Sequence, residues 1–122
     1  MLTLGPDRGS VAQARHWALR RASEAGVAGE TGAVVELLTS EIVANAVVHG
    51  PDDGSITVRT RAARGRFLVE VLDDAPQAPV VRHPDPLDEG GRGMMLVDML
   101  AADWGVRPHA GDGKTVWFRV AI

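Results

Sequence analysis

Leu37-Leu38-Thr39-Ser40-Glu41-Ile42-Val43-Ala44-Asn45-Ala46-Val47-Val48-His49-Gly50 decides how this chain is read. The stretch is largely apolar and ends at Gly50-Pro51, a firm terminator, so it predicts a helix from about Thr31 to His49. Glu41, Asn45 and His49 recur at i, i+4 and i+8. At about 100° per residue they share a stripe roughly 80° wide. Glu36, Thr39 and Ser40 lie on the opposite side, the expected solvent face. A polar stripe turned away from solvent is either paired in the core or lines a cavity. Two other readings stay open. The stripe can be a second solvated face, with His49 as a cation favoured at the helix C-terminus. It can also hold a metal. One histidine is too few for zinc, whereas a carboxylate and an amide suit Mg²⁺, which keeps several waters and takes its remaining oxygens from phosphates.

Upstream, Leu2 to Leu4 reads as a short strand stopped by Gly5-Pro6. Ser10 is the expected cap of a helix from Val11 to about Ala25, whose apolar stripe is Val11, Ala14, Ala18, Ala22 and Ala25, with Gly26 as its stop. Downstream, Ser55 to Arg61 and Arg66 to Asp73 alternate as strands, joined by a hairpin over Ala62 to Gly65. Asp74 to Arg92 has no periodicity and holds four of the seven prolines. Its length marks it as a lid or binding loop. A helix follows from Gly93 to about Ala102. Trp104 to Pro108 and Lys114 to Ile122 then form a hairpin around Gly111-Asp112-Gly113. No internal repeat is visible. The order β-α-α-β-β-loop-α-β-β predicts a two-layer α/β (α+β) sandwich, a largely antiparallel sheet covered by helices on one face.

The 122 residues fit one domain, 1–122, and 45% apolar with 24% charged residues excludes a disordered chain. A net charge of −3 and 4% aromatics, with no tyrosine, argue against direct nucleic-acid binding. Cysteine is absent, which removes thiolate chemistry. No apolar run of about 18 residues predicts a membrane span, and the N-terminus lacks the stretches of a signal peptide, so a cytoplasmic protein is expected. Of 13 basic residues only Lys114 is a lysine.

Two further signals stand beside the helix. Asp73 closes an apolar strand where the long loop begins. A carboxylate there can accept from an exocyclic amine such as that of adenine, or it can simply start a turn. Gly90-Gly91-Arg92-Gly93-Met94 precedes a helix. Its glycines let backbone N–H groups approach an anion, and Arg92 can add a charge-assisted contact. The same glycines can be no more than a flexible joint. The segment is neither a P-loop nor a dinucleotide fingerprint.

Together these three elements resemble the GHKL (histidine-kinase-like) ATPase superfamily, and most of all its small single-domain branch of anti-sigma-factor serine kinases and actinobacterial ATP-binding regulators. Glu41 to His49 is similar to the N-box, Asp73 to Pro79 to G1, and Gly91-Arg92-Gly93-Met94-Met95-Leu96-Val97 to G2. Gly113-Lys114-Thr115-Val116-Trp117-Phe118 matches the closing strand. The resemblance covers nearly the whole chain, in order and spacing. It implies Mg²⁺ and ATP as cofactors, with residues 74–92 as the ATP lid. Glu41 would polarise the attacking hydroxyl and Asn45 would coordinate Mg²⁺. Asp73 would accept from the adenine amine, Gly91 and Gly93 would cradle phosphates, and Thr115 would lie near the adenine. Arg92 and Met94 complete the implied binding set. Kinase members carry Asp-x-Gly-x-Gly in G1, whereas here Ala75 and Gln77 replace both glycines, which touches nucleotide affinity and turnover alike.

The expected function is an anti-sigma regulatory factor with serine/threonine protein kinase activity toward an anti-sigma-factor antagonist. Its expected partners are that antagonist and a sigma factor, because no sensor or DNA-binding module is recognised. Family members often dimerise. The alternative is a partner-binding regulator of the same fold that catalyses nothing. A stand-alone ATP hydrolase, with no coupling domain, ranks behind both.

Overall fold

The computed structural model describes residues 1–75, 92–111 and 113–122, with Arg92 described by its backbone. Most of the expected lid, Gly91 and the Arg92 side chain therefore lie outside the described residues. The elements are β1 (Leu2–Leu4), α1 (Gly9–Glu24), α2 (Gly29–His49), β2 (Ile56–Ala63), β3 (Arg66–Asp73), α3 (Arg92–Leu100), β4 (Asp103–Pro108) and β5 (Lys114–Ala121). The five strands form one sheet in the order β1-β2-β3-β5-β4, and every pairing is antiparallel. The helices form the second layer. α1 lies over β1 and β2, α2 over β2, β3 and β5, and α3 packs beside α2 against β4.

The start of α1 corrects the expected cap. Ser10 lies inside the helix, buried, and its Oγ donates to Gly5 O at 2.5 Å. The N–H of Ser10 is shared between Asp7 O at 3.1 Å and Asp7 Oδ1 at 3.2 Å, so Asp7 rather than Ser10 closes the start of the helix. At the other end Gly26 takes φ +82°, with Gly26 N bonded to Ser23 O at 3.0 Å and Val27 N to Ala22 O at 2.8 Å. This paired closure folds Val27, 2% exposed, back onto the helix. Of the expected stripe, Ala14, Ala18 and Ala22 are fully buried, whereas Ala25 is exposed.

α2 has 21 residues and is, by length and composition alone, apolar enough to cross a bilayer. Its contacts show another use. Val35, Leu38, Ile42, Val43 and Ala46 form a buried stripe in the core. Thr39 lies on this stripe, fully buried, which corrects its placement on the solvent face. Its Oγ1 finds no hydrogen-bond partner among the described residues. Ser40 donates to Glu36 O at 2.9 Å, the usual way for a helix to absorb a hydroxyl.

Period-two alternation sorts the sheet. Ile56 and Val58, Phe67, Val69 and Val71, and Val116, Phe118 and Val120 face the helices and are buried. Met94 and Val97 of α3 close the core. The other face is polar and aromatic. Arg107 pairs with Glu70 at 2.7 Å, Arg119 pairs with Asp103, and the Arg119 guanidinium lies 5.1 Å from the Trp117 ring centre. The β2–β3 hairpin turns in two residues, Arg64 and Gly65, both left-handed at φ 54° and 74°. That is the pattern of a type I′ turn, whose twist matches the strands.

Candidate functional site

The polar stripe of α2 meets the start of α3. Glu41 and Asn45 are half-buried there. A methyl group on Gly93 would stand 2.8 Å from Glu41 Oε2, 3.3 Å from Glu41 Cβ and 3.7 Å from Asn45 Nδ2. A side chain at 93 would press on Glu41, whereas Asn45 would stand at ordinary contact distance. The N–H groups of that first turn have no intrahelical partner, and they add partial positive charge beside the stripe. Burial raises the pKa of Glu41 above its ordinary 4.5 by penalising the charged form. A carboxylate, an amide and a bare helix start thus converge. His49, at the exposed last turn, is not part of this convergence.

A second group of side chains lies where β3 and β5 end. Asp73 is 5% exposed and faces the helix layer in step with Val69 and Val71. Its Oδ1 accepts from Ala75 N at 2.8 Å and from Lys114 Nζ at 3.0 Å. The first bond is an Asx turn, so Asp73 does start a turn as well as ending a strand. The second is an ion pair with side chains only 7% and 3% exposed, and the two residues are direct partners in the β3–β5 register. Asp74 faces elsewhere. Its Oδ2 accepts from Ser55 N at 2.8 Å, tying the exit of β3 to the entry of β2.

Thr115 is not brought to Asp73. It pairs in register with Leu72, and strand alternation turns it to the opposite face of the sheet. It is buried there, with Oγ1 2.7 Å from His109 Nε2. The residue of the closing strand that reaches Asp73 is Lys114. Met94 is 2% exposed and packs in the hydrophobic core. The structure thus joins Glu41, Asn45 and Gly93 in one place and Asp73 with Lys114 in another. Lys114 was legible as the single lysine, and as the first member of the inward series Lys114, Val116, Phe118, Val120.

An open antiparallel sheet under three helices, with a carboxylate–amide stripe facing a glycine at a helix start, defines the class: an ATP-binding sandwich of the histidine kinase type. The family profile described as the histidine kinase-like ATPase domain matches residues 5–120, and the chain belongs to that family. Among solved structures, the chain is similar to the histidine kinase domain of the blue-light activated histidine kinase from Erythrobacter litoralis EL346. They share 28% identity and a TM-score of 0.54 over 74% of this chain and 44% of that one. Full-length ShkA in complex with AMPPNP matches in fold at 22% identity and TM-score 0.65, over 92% of this chain and 29% of that one. The mycobacterial sensor histidine kinase MprB matches in fold at 15% identity and TM-score 0.63, covering 98% and 97%. The chain spans less than half the length of the first two. No curated protein sequence matches it.

Proposed function

We propose that the chain is an ATP-binding regulator with serine/threonine protein kinase activity toward an anti-sigma-factor antagonist, working in the cytoplasm with a sigma factor as its second partner. The observation that carries the reading is the approach of Gly93 to Glu41 and Asn45. The site fits a magnesium nucleotide on its own chemistry. Asn45 and Glu41 carry the oxygen donors Mg²⁺ prefers; Asn45 Nδ2 stands nearest the Gly93 position, and turning the amide over brings its oxygen there. Bound Mg²⁺-ATP supplies the transferable phosphoryl group. Asn45 would hold the metal through its amide oxygen, and the N–H groups at the start of α3 would be available to the phosphates. Glu41 accepts the proton of the incoming serine hydroxyl. Burial favours this role, because a base whose pKa is raised toward the working pH is better matched to proton transfer.

A second reading is favoured by G1. Ala75, fully buried, stands where kinase members carry glycine, and its N–H is committed to Asp73. This reading is a partner-binding regulator without turnover. Calorimetric titration with Mg²⁺-ATP, followed by transfer of labelled γ-phosphate to candidate antagonists, separates the two. Nucleotide binding with transfer supports the kinase. Binding of both nucleotide and antagonist without transfer supports the second reading. Absence of nucleotide binding overturns the kinase and leaves a partner-binding regulator that holds no nucleotide.

A further inference from the structure

The buried ion pair of Lys114 and Asp73 bears on which base the pocket takes, and the inference rests on the nucleotide-binding reading above. Asp73 is the carboxylate that would accept from the 6-amino group of adenine. In this chain a charged donor already holds its Oδ1 at 3.0 Å, and Ala75 N holds the same oxygen at 2.8 Å. The competition is unequal. An ammonium makes a charge-assisted bond roughly twice as strong as that of a neutral amine. Lys114 is also fixed opposite Asp73 by the β3–β5 register, so it competes from within the molecule. Removing it would leave a carboxylate 3% exposed without a counter-charge. Finally, an ammonium has three hydrogens, and one bond to Asp73 leaves donors for an acceptor on the ligand.

We propose that Lys114 is the base-specificity determinant of this nucleotide site: it holds one oxygen of the adenine-reading carboxylate, leaves Oδ2 to accept from a 6-amino group, and offers a donor of its own to a 6-oxo group, so that a 6-oxo purine is accepted as readily as a 6-amino purine. ADP and inosine diphosphate, which differ only at the 6-position and N1, are the probes. Titrated with Mg²⁺ into the wild-type protein, the two should bind within about threefold of each other, since the 6-amino group would find Asp73 Oδ2 and the 6-oxo group would find Lys114 Nζ. Lys114→Met keeps the length of the side chain, removes the donor for a 6-oxo group and leaves the acceptor for a 6-amino group, and should favour ADP by about tenfold or more, the worth of one hydrogen bond to a charged group. Lys114→Arg keeps the cation and should stay near the wild-type ratio. The ratio is read within one protein preparation, so a loss of stability cancels from it. If Lys114→Met does not fold, the wild-type ratio decides alone. A wild type that prefers ADP by about tenfold, or a Lys114→Met ratio equal to that of the wild type, overturns the role of Lys114 and leaves the nucleotide reading standing. Wild-type and variant proteins that bind neither probe overturn the nucleotide reading, and this inference with it.

Discussion

Glu41 concentrates the chemistry of this molecule in one half-buried carboxyl. Its amide isostere keeps the shape and cannot accept a proton. Glu41→Gln should therefore retain Mg²⁺-ATP binding in calorimetry and lose phosphoryl transfer by roughly 10²-fold or more. On the proposed function the same residue would set the acid limb of activity. With its pKa raised by burial, transfer should fall away at a pH above that at which an ordinary glutamate, near 4.5, would lose its charge. The stability linkage has the matching sign. The folded state holds this proton more tightly than the unfolded chain, so the Glu41 contribution is most favourable below about pH 4.5 and declines as pH rises through the raised folded value. Glu41→Gln should then melt above the parent at neutral pH, with the gap closing in acid, as thermal unfolding at the two pH values would show. Thr39 offers a test free of charge. Among the described residues its buried hydroxyl has no partner, so Thr39→Val, which keeps the branched shape, should stabilise by about 1 kcal/mol, or a rise of about 4 °C in Tm.

At the scale of elements, the α2–α3 contact and the β2–β3 turn behave differently under substitution. Gly93→Ala brings a methyl group against a flexible carboxylate end and, more firmly, against Glu41 Cβ at 3.3 Å. Alanine also favours the helix by about 1 kcal/mol, so Tm should move by only a few degrees. Mg²⁺-ATP affinity, which needs Asn45 and the close approach of α3, should drop by about tenfold or more, the worth of one lost contact to a charged group. Arg64 sits at φ 54° with a side chain that gains nothing from that region. Arg64→Asn should stabilise by roughly 0.5–1 kcal/mol in denaturant titration, because asparagine tolerates the left-handed region and suits a type I′ turn. All eight elements were legible in the sequence, because apolar periodicity and Gly or Pro punctuation agree along the described chain. Glu41, Asn45 and Gly93 were legible as a group, since one helical turn separates the first two and a glycine opens the next helix. The misplacements have physical causes. Asp7 and Ser10 are both able caps three residues apart, and only the backbone path selects between them. Thr39 was assigned to solvent because polarity stood in for exposure. Thr115 and Lys114 are neighbours, and a shift of one residue in a strand exchanges the faces of the sheet.

For the molecule as a whole, the sheet order β1-β2-β3-β5-β4 places the last-made strand beside β3, near the middle. The edges are modest. β1 has three residues, and β4 has six and ends at Pro108, which cannot donate to a neighbour. The broad side of β3 has no such protection until β5 arrives. During synthesis the β2–β3 hairpin and the helices α1 and α2 leave the ribosome first, with Val69 and Val71 exposed along an unpaired strand. At about 5–20 residues per second, the roughly fifty residues between Asp73 and Ala121 keep that strand waiting for several seconds. The nascent chain is therefore most open to chaperone capture, and to pairing with a neighbouring nascent chain, in the interval before β5 is released.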